Sequence, residues 1–311
     1  MTLELPWADP TWIVRTDSEI DAALDRHGRV RAGAIETVKM WGRACIKRLP
    51  TLEGAVWVKF GYSLPPGEEL ILPELVKRSP AHLPRVVDTW PGAVMMEEMS
   101  GELMPEASSL EHWILAASTL AEIQLREEKH VEHWLSIGVR DRRALGFEAS
   151  VHALLASPVL RGLSAQHQAS LARHAPDWIV RFADAFQHAP TLVHQDAGCC
   201  NIMIDEGHLT VFDWTDVVIG HPVFSCDRLL DQVPRELKQS VIDAFVEAHG
   251  FPRAEFDAIR KANVLHEVLR YHDELAHLPG KDPCHVSLSG SVLSQLRVLI
   301  EHEAKLRGDR S

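Results

Sequence analysis

Positive charge is in short supply. Of 311 residues, 32 are Lys or Arg against 44 Asp or Glu, a net charge of −12 at pH 7. That balance argues against a nucleic-acid binder, because neutralising a polyanion needs clustered cations. A cationic substrate or metal ions suit it better. No run of about eighteen apolar residues occurs, so no membrane span is implied. The opening MTLELPWADPTWIVR has no basic start followed by an apolar stretch, so no secretory leader is expected. The five cysteines (Cys45, Cys199, Cys200, Cys226, Cys284) are irregularly spaced, which excludes a disulfide scaffold and points to reduced thiols in a cytoplasmic protein. The absence of G-x4-G-K-[ST] excludes a P-loop nucleotidase, and the absence of G-x-S-x-G removes support for a hydrolase. No C-x2-C or H-E-x-x-H is found either, so no zinc site is expected, and surface positions explain His130 and His133.

What is present is ordinary globular material, 46% hydrophobic and 24% charged, long enough for roughly two domains. Residues 18–27 read as a helix capped by Ser18 and ended by Gly28. Short runs at 35–41, 44–49 and 55–60, punctuated by Gly42 and Pro50–Gly54, read as an antiparallel meander. In AVWVKF, Val56, Val58 and Phe60 point one way while Lys59 points the other with Ala55 and Trp57. A helix over 67–78 and strands at 85–88 and 93–97 complete a small β-rich lobe, residues 1–100. A larger helical lobe, residues 101–311, carries helical spacing at 108–128, 141–156, 165–187, 235–249, 255–277 and 287–307. A β-rich island at 191–219 interrupts it.

The island carries the chemistry. It reads TLVHQDAGCCNIMIDEGHLTVFDWTD over 191–216, two apolar runs separated by Asp205-Glu206-Gly207, the signature of a hairpin. A turn centred on residue 207 would set Asn201 opposite Asp213. An amide oxygen and a carboxylate so placed are hard oxygen ligands of the kind Mg²⁺ takes beside phosphates. Asp196 lies on the loop entering the same end. Charge is segregated along the chain: seven acids to one base over 191–231, and seven bases to one acid over 26–50. A phosphate-bearing nucleotide bridged by metal fits between such segments.

The order Lys59 … Glu68 … His194-x-Asp196-x4-Asn201 … Asp213 resembles the aminoglycoside phosphotransferase and choline kinase family, a branch of the protein-kinase-like fold. The resemblance spans about residues 30–300. It implies an α+β bilobal fold, with a small antiparallel β N-lobe carrying one main helix and a mostly helical C-lobe. It implies that Asp196 is the catalytic residue, orienting or deprotonating the acceptor hydroxyl. Asn201 and Asp213 would bind Mg²⁺, and Lys59 would contact the ATP phosphates while paired with Glu68, or with Glu69 as the alternative. Met95–Gly101 resembles the hinge whose backbone binds adenine, with Glu97 and Met99 as its cofactor-binding positions. His194 then packs the catalytic loop. Gln195 stands where this branch usually has Gly, and Ser225 stands where its G-x-P-x-x-D pattern has Asp, with Asp227 two residues later.

The expected activity is an ATP- and Mg²⁺-dependent phosphotransferase acting on a hydroxyl of a small molecule, an aminoglycoside, sugar or amino alcohol. The alternatives are a non-catalytic nucleotide-binding regulator, or a protein kinase, against which the missing A-P-E segment speaks. Trp214 and Asp216 are expected either to pack or to form an acceptor rim. His266, Glu267, Tyr271, His272, Asp273 and Glu274 are further candidate contacts. A Lys59→Met change is expected to leave stability nearly unchanged.

Overall fold

Period-two patterning in the first hundred residues produces strands, as short apolar runs bounded by Gly and Pro should. The computed structural model describes residues 5–61, 66–278, 280 and 282–307. In it the chain forms helix α1 (Pro10–Arg26) and strands β1 (Glu36–Met40), β2 (Ala44–Leu49) and β3 (Val56–Gly61). Helix α2 (Glu68–Arg78) and strands β4 (Val86–Trp90), β5 (Ala93–Glu97) and β6 (Glu102–Leu103) follow. Next come α3 (Leu110–Glu127), α4 (Val131–Ser136), β7 (Arg140–Asp141), α5 (Ala144–Leu155) and α6 (Ala165–Ala185). The island resolves into β8 (Thr191–His194), β9 (Ile202–Asp205), β10 (His208–Val211) and β11 (Val217–Gly220). Beyond it lie α7 (Val223–Leu230), α8 (Lys238–His249), α9 (Arg253–Ala262), α10 (His266–Leu275) and α11 (Pro283–Arg307).

Two compact units result. The first comprises Met1–Glu106, Gly198–Thr215 and His277–His285; the second comprises Ala107–Ala197, Asp216–Ala276 and Val286–Ser311. In the first, the antiparallel sheet runs β1-β2-β3-β5-β4, which puts β3 at its centre. Val56, Val58 and Phe60 of β3 pack with Trp12, Ile20 and Leu24 of α1 in one hydrophobic core. Each such side chain contributes roughly 1.5–3 kcal/mol on burial. Alternation sends Lys59 to the other face. A smaller sheet, β10-β9-β6, belongs to the same unit.

Helix α1 is longer than its sequence suggested. It starts at Pro10, and Asp9 caps it by accepting from the Thr11 N–H at 2.8 Å. Ser18 is therefore not the cap; it lies mid-helix and donates to the Val14 carbonyl at 3.0 Å. The exposed β-branched pair Ile13 and Val14 hid the helical stripe of Trp12, Thr16, Ile20 and Leu24.

The second unit is mostly helical around a sheet of order β7-β11-β8, in which β8 and β11 run antiparallel with His194 opposite Val217. The single helix expected over 255–277 is two, α9 and α10, because Asn263 leaves helical geometry at φ −82°, ψ 44°. Short α4 and α7 carried too few turns to show a period. Among the described residues, no helix is long and apolar enough to cross a membrane.

Candidate active site

In the first unit, β3 aims Lys59 at the first turn of α2. Its Nζ lies 2.7 Å from Glu68 Oε2 and 2.5 Å from Asp213 Oδ1, and it donates to Thr215 Oγ1 at 2.6 Å. Thr215 Oγ1 in turn donates to Asp213 Oδ1 at 2.8 Å, and Glu68 Oε1 accepts from the Trp214 backbone N–H at 2.8 Å. Glu69, the alternative partner, points elsewhere and accepts from the Gly92 N–H at 3.2 Å. Lys59 and Glu68 are 8% and 6% exposed. Burial on its own would lower the Lys59 pKa, but Asp213 and Glu68 reverse that and hold it above its ordinary value. Burial likewise pushes the Asp213 carboxyl up, and the Lys59 ammonium overcomes it, leaving Asp213 well below the usual carboxylate range. Two carboxylates around one ammonium leave a negative charge in excess, which Arg43 offsets in part.

The hairpin has a different register from the expected one. Val211 pairs with Ile202 and His208 with Asp205, so Asn201 stands opposite Phe212, whose N–H donates to the Asn201 carbonyl at 3.0 Å. Asp213 lies one residue further on. The cause is a two-residue turn, Glu206 (φ 48°) and Gly207 (φ 82°), which moves the centre of symmetry half a residue back from Gly207. Asp213 itself has φ 62°, a left-handed conformation that Asp tolerates better than most residues. That kink after β10 brings its carboxylate to Lys59. Both contacts fall on Oδ1 and the side chain stays 36% exposed, which leaves Oδ2 for a cation. With the amide of buried Asn201 in the same unit, the donors are hard oxygens, a set that fits Mg²⁺.

Glu97 and Met99 fall elsewhere in this unit. They line a cavity of about 300 Å³ with Leu83, Arg85, Ser100 and His208. Lys59 and Glu68 line a separate one of about 10 Å³ with Gly92 and Thr215. The Glu97 carboxylate is held by Arg29 and by Arg85, the latter at 3.2 Å. The basic segment 26–50 is no free cationic surface: Arg26 pairs with Asp88, Arg31 with Asp21, Lys47 with Asp17 and Arg48 with Glu98.

In the second unit, Asp196 follows β8. Its backbone N–H donates to His194 Nδ1 at 3.1 Å, so that ring is a structural brace. Asp196 Oδ1 accepts from Arg228 Nε at 2.9 Å and lies 3.4 Å from Arg270 Nη1. Arg270, 4% exposed, also meets Glu267 at 2.9 Å and Asp216 at 3.8 Å. Burial works against its charge, and Glu267, Asp196 and Asp216 more than restore it. Sequence reasoning missed both arginines; Arg270 sits among the α10 candidates, but no motif marks it. Ser225 braces the end of β8: its Oγ accepts from the His194 N–H and from Gln124 Nε2, each at 3.0 Å. Asp227 instead pairs with Arg260. Trp214 is 1% exposed and donates to the Val211 carbonyl, and Asp216 is 4% exposed, so neither forms an acceptor rim.

A family model described as the phosphotransferase enzyme family matches residues 67–261. Among solved structures, a macrolide 2'-phosphotransferase from Brachybacterium faecium is 14% identical, with 90% of this chain and 97% of that chain covered and a TM-score of 0.64. The ternary complex of streptomycin, ATP and APH(2")-IIa is 19% identical, covering 90% and 96% at a TM-score of 0.62. A choline/ethanolamine kinase family protein from Mesorhizobium loti is 14% identical, covering 91% and 95% at a TM-score of 0.59. The likeness shows the kinase-like fold. No curated protein matches in sequence.

Proposed function

The chain belongs to the phosphotransferase enzyme family, and from that premise we propose that it transfers the γ-phosphoryl group of ATP, with Mg²⁺, to a hydroxyl of a small molecule. The observation that carries this reading is the buried Lys59–Glu68–Asp213 triad, since a lysine held between two carboxylates is preorganised to meet phosphate oxygens. Asn201 and Asp213 would hold Mg²⁺, which when bound offsets phosphate charge. Glu97 and Met99 belong to the segment whose backbone would hold adenine.

Asp196 accepts the hydrogen bond of the acceptor hydroxyl and takes its proton as the oxygen bonds to the γ-phosphorus and the bond to the β–γ bridging oxygen breaks, releasing ADP. Arg228 and Arg270 hold that carboxylate in one orientation, a positioning role. General-base assistance of this kind supplies roughly 10²–10⁴-fold. Around Asp196 the acids Asp196, Asp216, Asp231 and Glu267 face Arg228 and Arg270, an excess of two negative charges. So small an excess suits an amino alcohol or a sugar better than a polycation. Solved relatives include a kanamycin complex as well as the choline/ethanolamine kinase family protein, so both classes belong in the test.

The test is ADP release from Mg²⁺–ATP across a panel of amino alcohols, sugars, aminoglycosides and macrolides. At least one acceptor is expected to raise the rate well above the acceptor-free level. Tight ATP binding with no response to any acceptor would favour the regulator reading.

A further inference from the structure

Three side chains of the second unit, far along the chain from Asp196, each hold a buried atom with no hydrogen-bond partner, Glu128 Oε1, His188 Nε2 and His249 Nδ1, and the three residues bring one ligand atom each within 4.8 Å of the others. Glu128 follows the end of α3, His188 lies on the segment between α6 and β8, and His249 is the last residue of α8. Intervals of about sixty residues explain why no ligand spacing shows in the sequence. A buried acceptor without a donor costs free energy, and three such side chains gathered together, two of them 3.5 Å apart, point to a missing electrophile. We propose that Glu128, His188 and His249 bind one zinc-like divalent transition-metal ion.

The tautomer of His249 is fixed by its surroundings. Gln124 Nε2 faces the Pro222 carbonyl at 3.1 Å, an oxygen that only accepts, so the amide nitrogen must lie on that side. The Gln124 oxygen therefore faces His249 Nε2 at 3.0 Å, and Nε2 carries the proton. Nδ1 is left with a lone pair. This is the outer-shell arrangement that orients metal-bound histidines. The ring is 7% exposed, so a lone pair left there has no access to bulk water.

Distances agree with the assignment. Donors bound at about 2.1 Å in a tetrahedron stand about 3.4 Å apart. Glu128 Oε1 and His188 Nε2 are already 3.5 Å apart, and all three ligand atoms lie within 4.8 Å of one another. Phe251 packs 4.9 Å from the His188 ring and 5.4 Å from that of His249, walling the site with apolar surface. His221, though 5.9 Å from His188, is not a ligand: its Nδ1 accepts from the Val223 N–H and its Nε2 faces Glu255. A water would complete the shell. Two imidazoles and one carboxylate select Zn²⁺ or Co²⁺ over Mg²⁺, which prefers all-oxygen shells. The ion would tie α3, α8 and the segment entering β8. Gln124 belongs to that anchor too, since its carbonyl accepts from Thr191 Oγ1 at 2.6 Å. None of this depends on the proposed phosphotransfer.

The test uses the untagged full chain, stripped with chelator and titrated with Zn²⁺ in competition with a chromophoric chelator. One equivalent is expected at micromolar Kd or tighter, unaffected by millimolar Mg²⁺, and Co²⁺ should give the visible absorption of a four-coordinate site. Glu128→Gln and His188→Gln, at partly exposed positions where folding tolerates them, should each weaken Zn²⁺ at least tenfold and abolish any rise in Tm with Zn²⁺. Absence of the tight equivalent in the unsubstituted chain would overturn the proposal. So would equal Zn²⁺ affinity in both variants, which would put the ion on other histidines.

Discussion

Replacing Lys59 by Met removes the one cation between two carboxylates, and the cost follows from burial. Glu68 is 6% exposed and keeps its hydrogen bond from Trp214, but its charge loses its partner. Breaking a buried pair by deleting one member costs about 3–5 kcal/mol. At roughly 2–4 °C per kcal/mol for a domain of this size, the midpoint should fall by about 6–20 °C. This reverses the sequence-based expectation of a nearly unchanged melting temperature, which left out the burial of Glu68. The sign with pH is fixed as well. In the unsubstituted chain the depressed Asp213 pKa gives stability that is present above its ordinary value of 3.8 and lost only in strong acid. Removing the ammonium takes that contribution away, so the gap between the two proteins should be present above pH 3.8 and close as the pH falls into strong acid. Thermal unfolding from pH 2 to pH 7 checks it, with Lys59→Met/Glu68→Gln expected to recover at least half the loss at neutral pH. A Lys59→Met protein within about 0.5 kcal/mol of the unsubstituted chain at every pH, as for a surface substitution, would refute the reasoning.

Three further outcomes are expected. Asp213→Ala should abolish Mg²⁺-dependent ATP binding, and Asn201→Ala should weaken it, with Mn²⁺ replacing Mg²⁺ and Zn²⁺ a poor activator; calorimetric titration decides this, and ATP binding unchanged by chelator would contradict the donor assignment. Arg270→Met should lower kcat about tenfold or more with little change in ATP affinity, because the arginine acts through Asp196; steady-state kinetics separating kcat from KM for ATP tests that role. Burial pulls His221 down to about 3 and His266 to about 4 from 6.5, so their stabilising contribution is complete above pH 6.5 and lost as pH falls. The two together remove about 2 kcal/mol between pH 6.5 and 5.5, and a Tm flat across that range would contradict the assignment.

Much of the site was legible because its parts are local. The alternation in AVWVKF placed Lys59 away from Val56, Val58 and Phe60, and the family resemblance offered Glu68 ahead of Glu69 as its partner. The hairpin was legible too, but its register was off by one: sequence does not show that Glu206 adopts φ 48° and shares the turn with Gly207. Charge was misread because pairing is a property of three dimensions. Seven bases over 26–50 look like a patch until Asp17, Asp21, Asp88 and Glu98 arrive from other elements. The acidic island is met in the same way by Arg260 and Arg270. Helix α1 was half hidden because exposed Ile13 and Val14 imitate a strand edge, while Asp9, the real cap, sits before a proline.

The most direct measurement is transfer of labelled γ-phosphate from Mg²⁺–ATP into the small-molecule fraction, with the unsubstituted chain and Asp196→Asn run side by side on the best acceptor of the panel. A phosphate ester is expected from the unsubstituted chain, and a rate about 10²-fold lower or worse from Asp196→Asn, whose ATP affinity is retained. Equal transfer by the two proteins, or label that never enters an acceptor, would contradict that expectation.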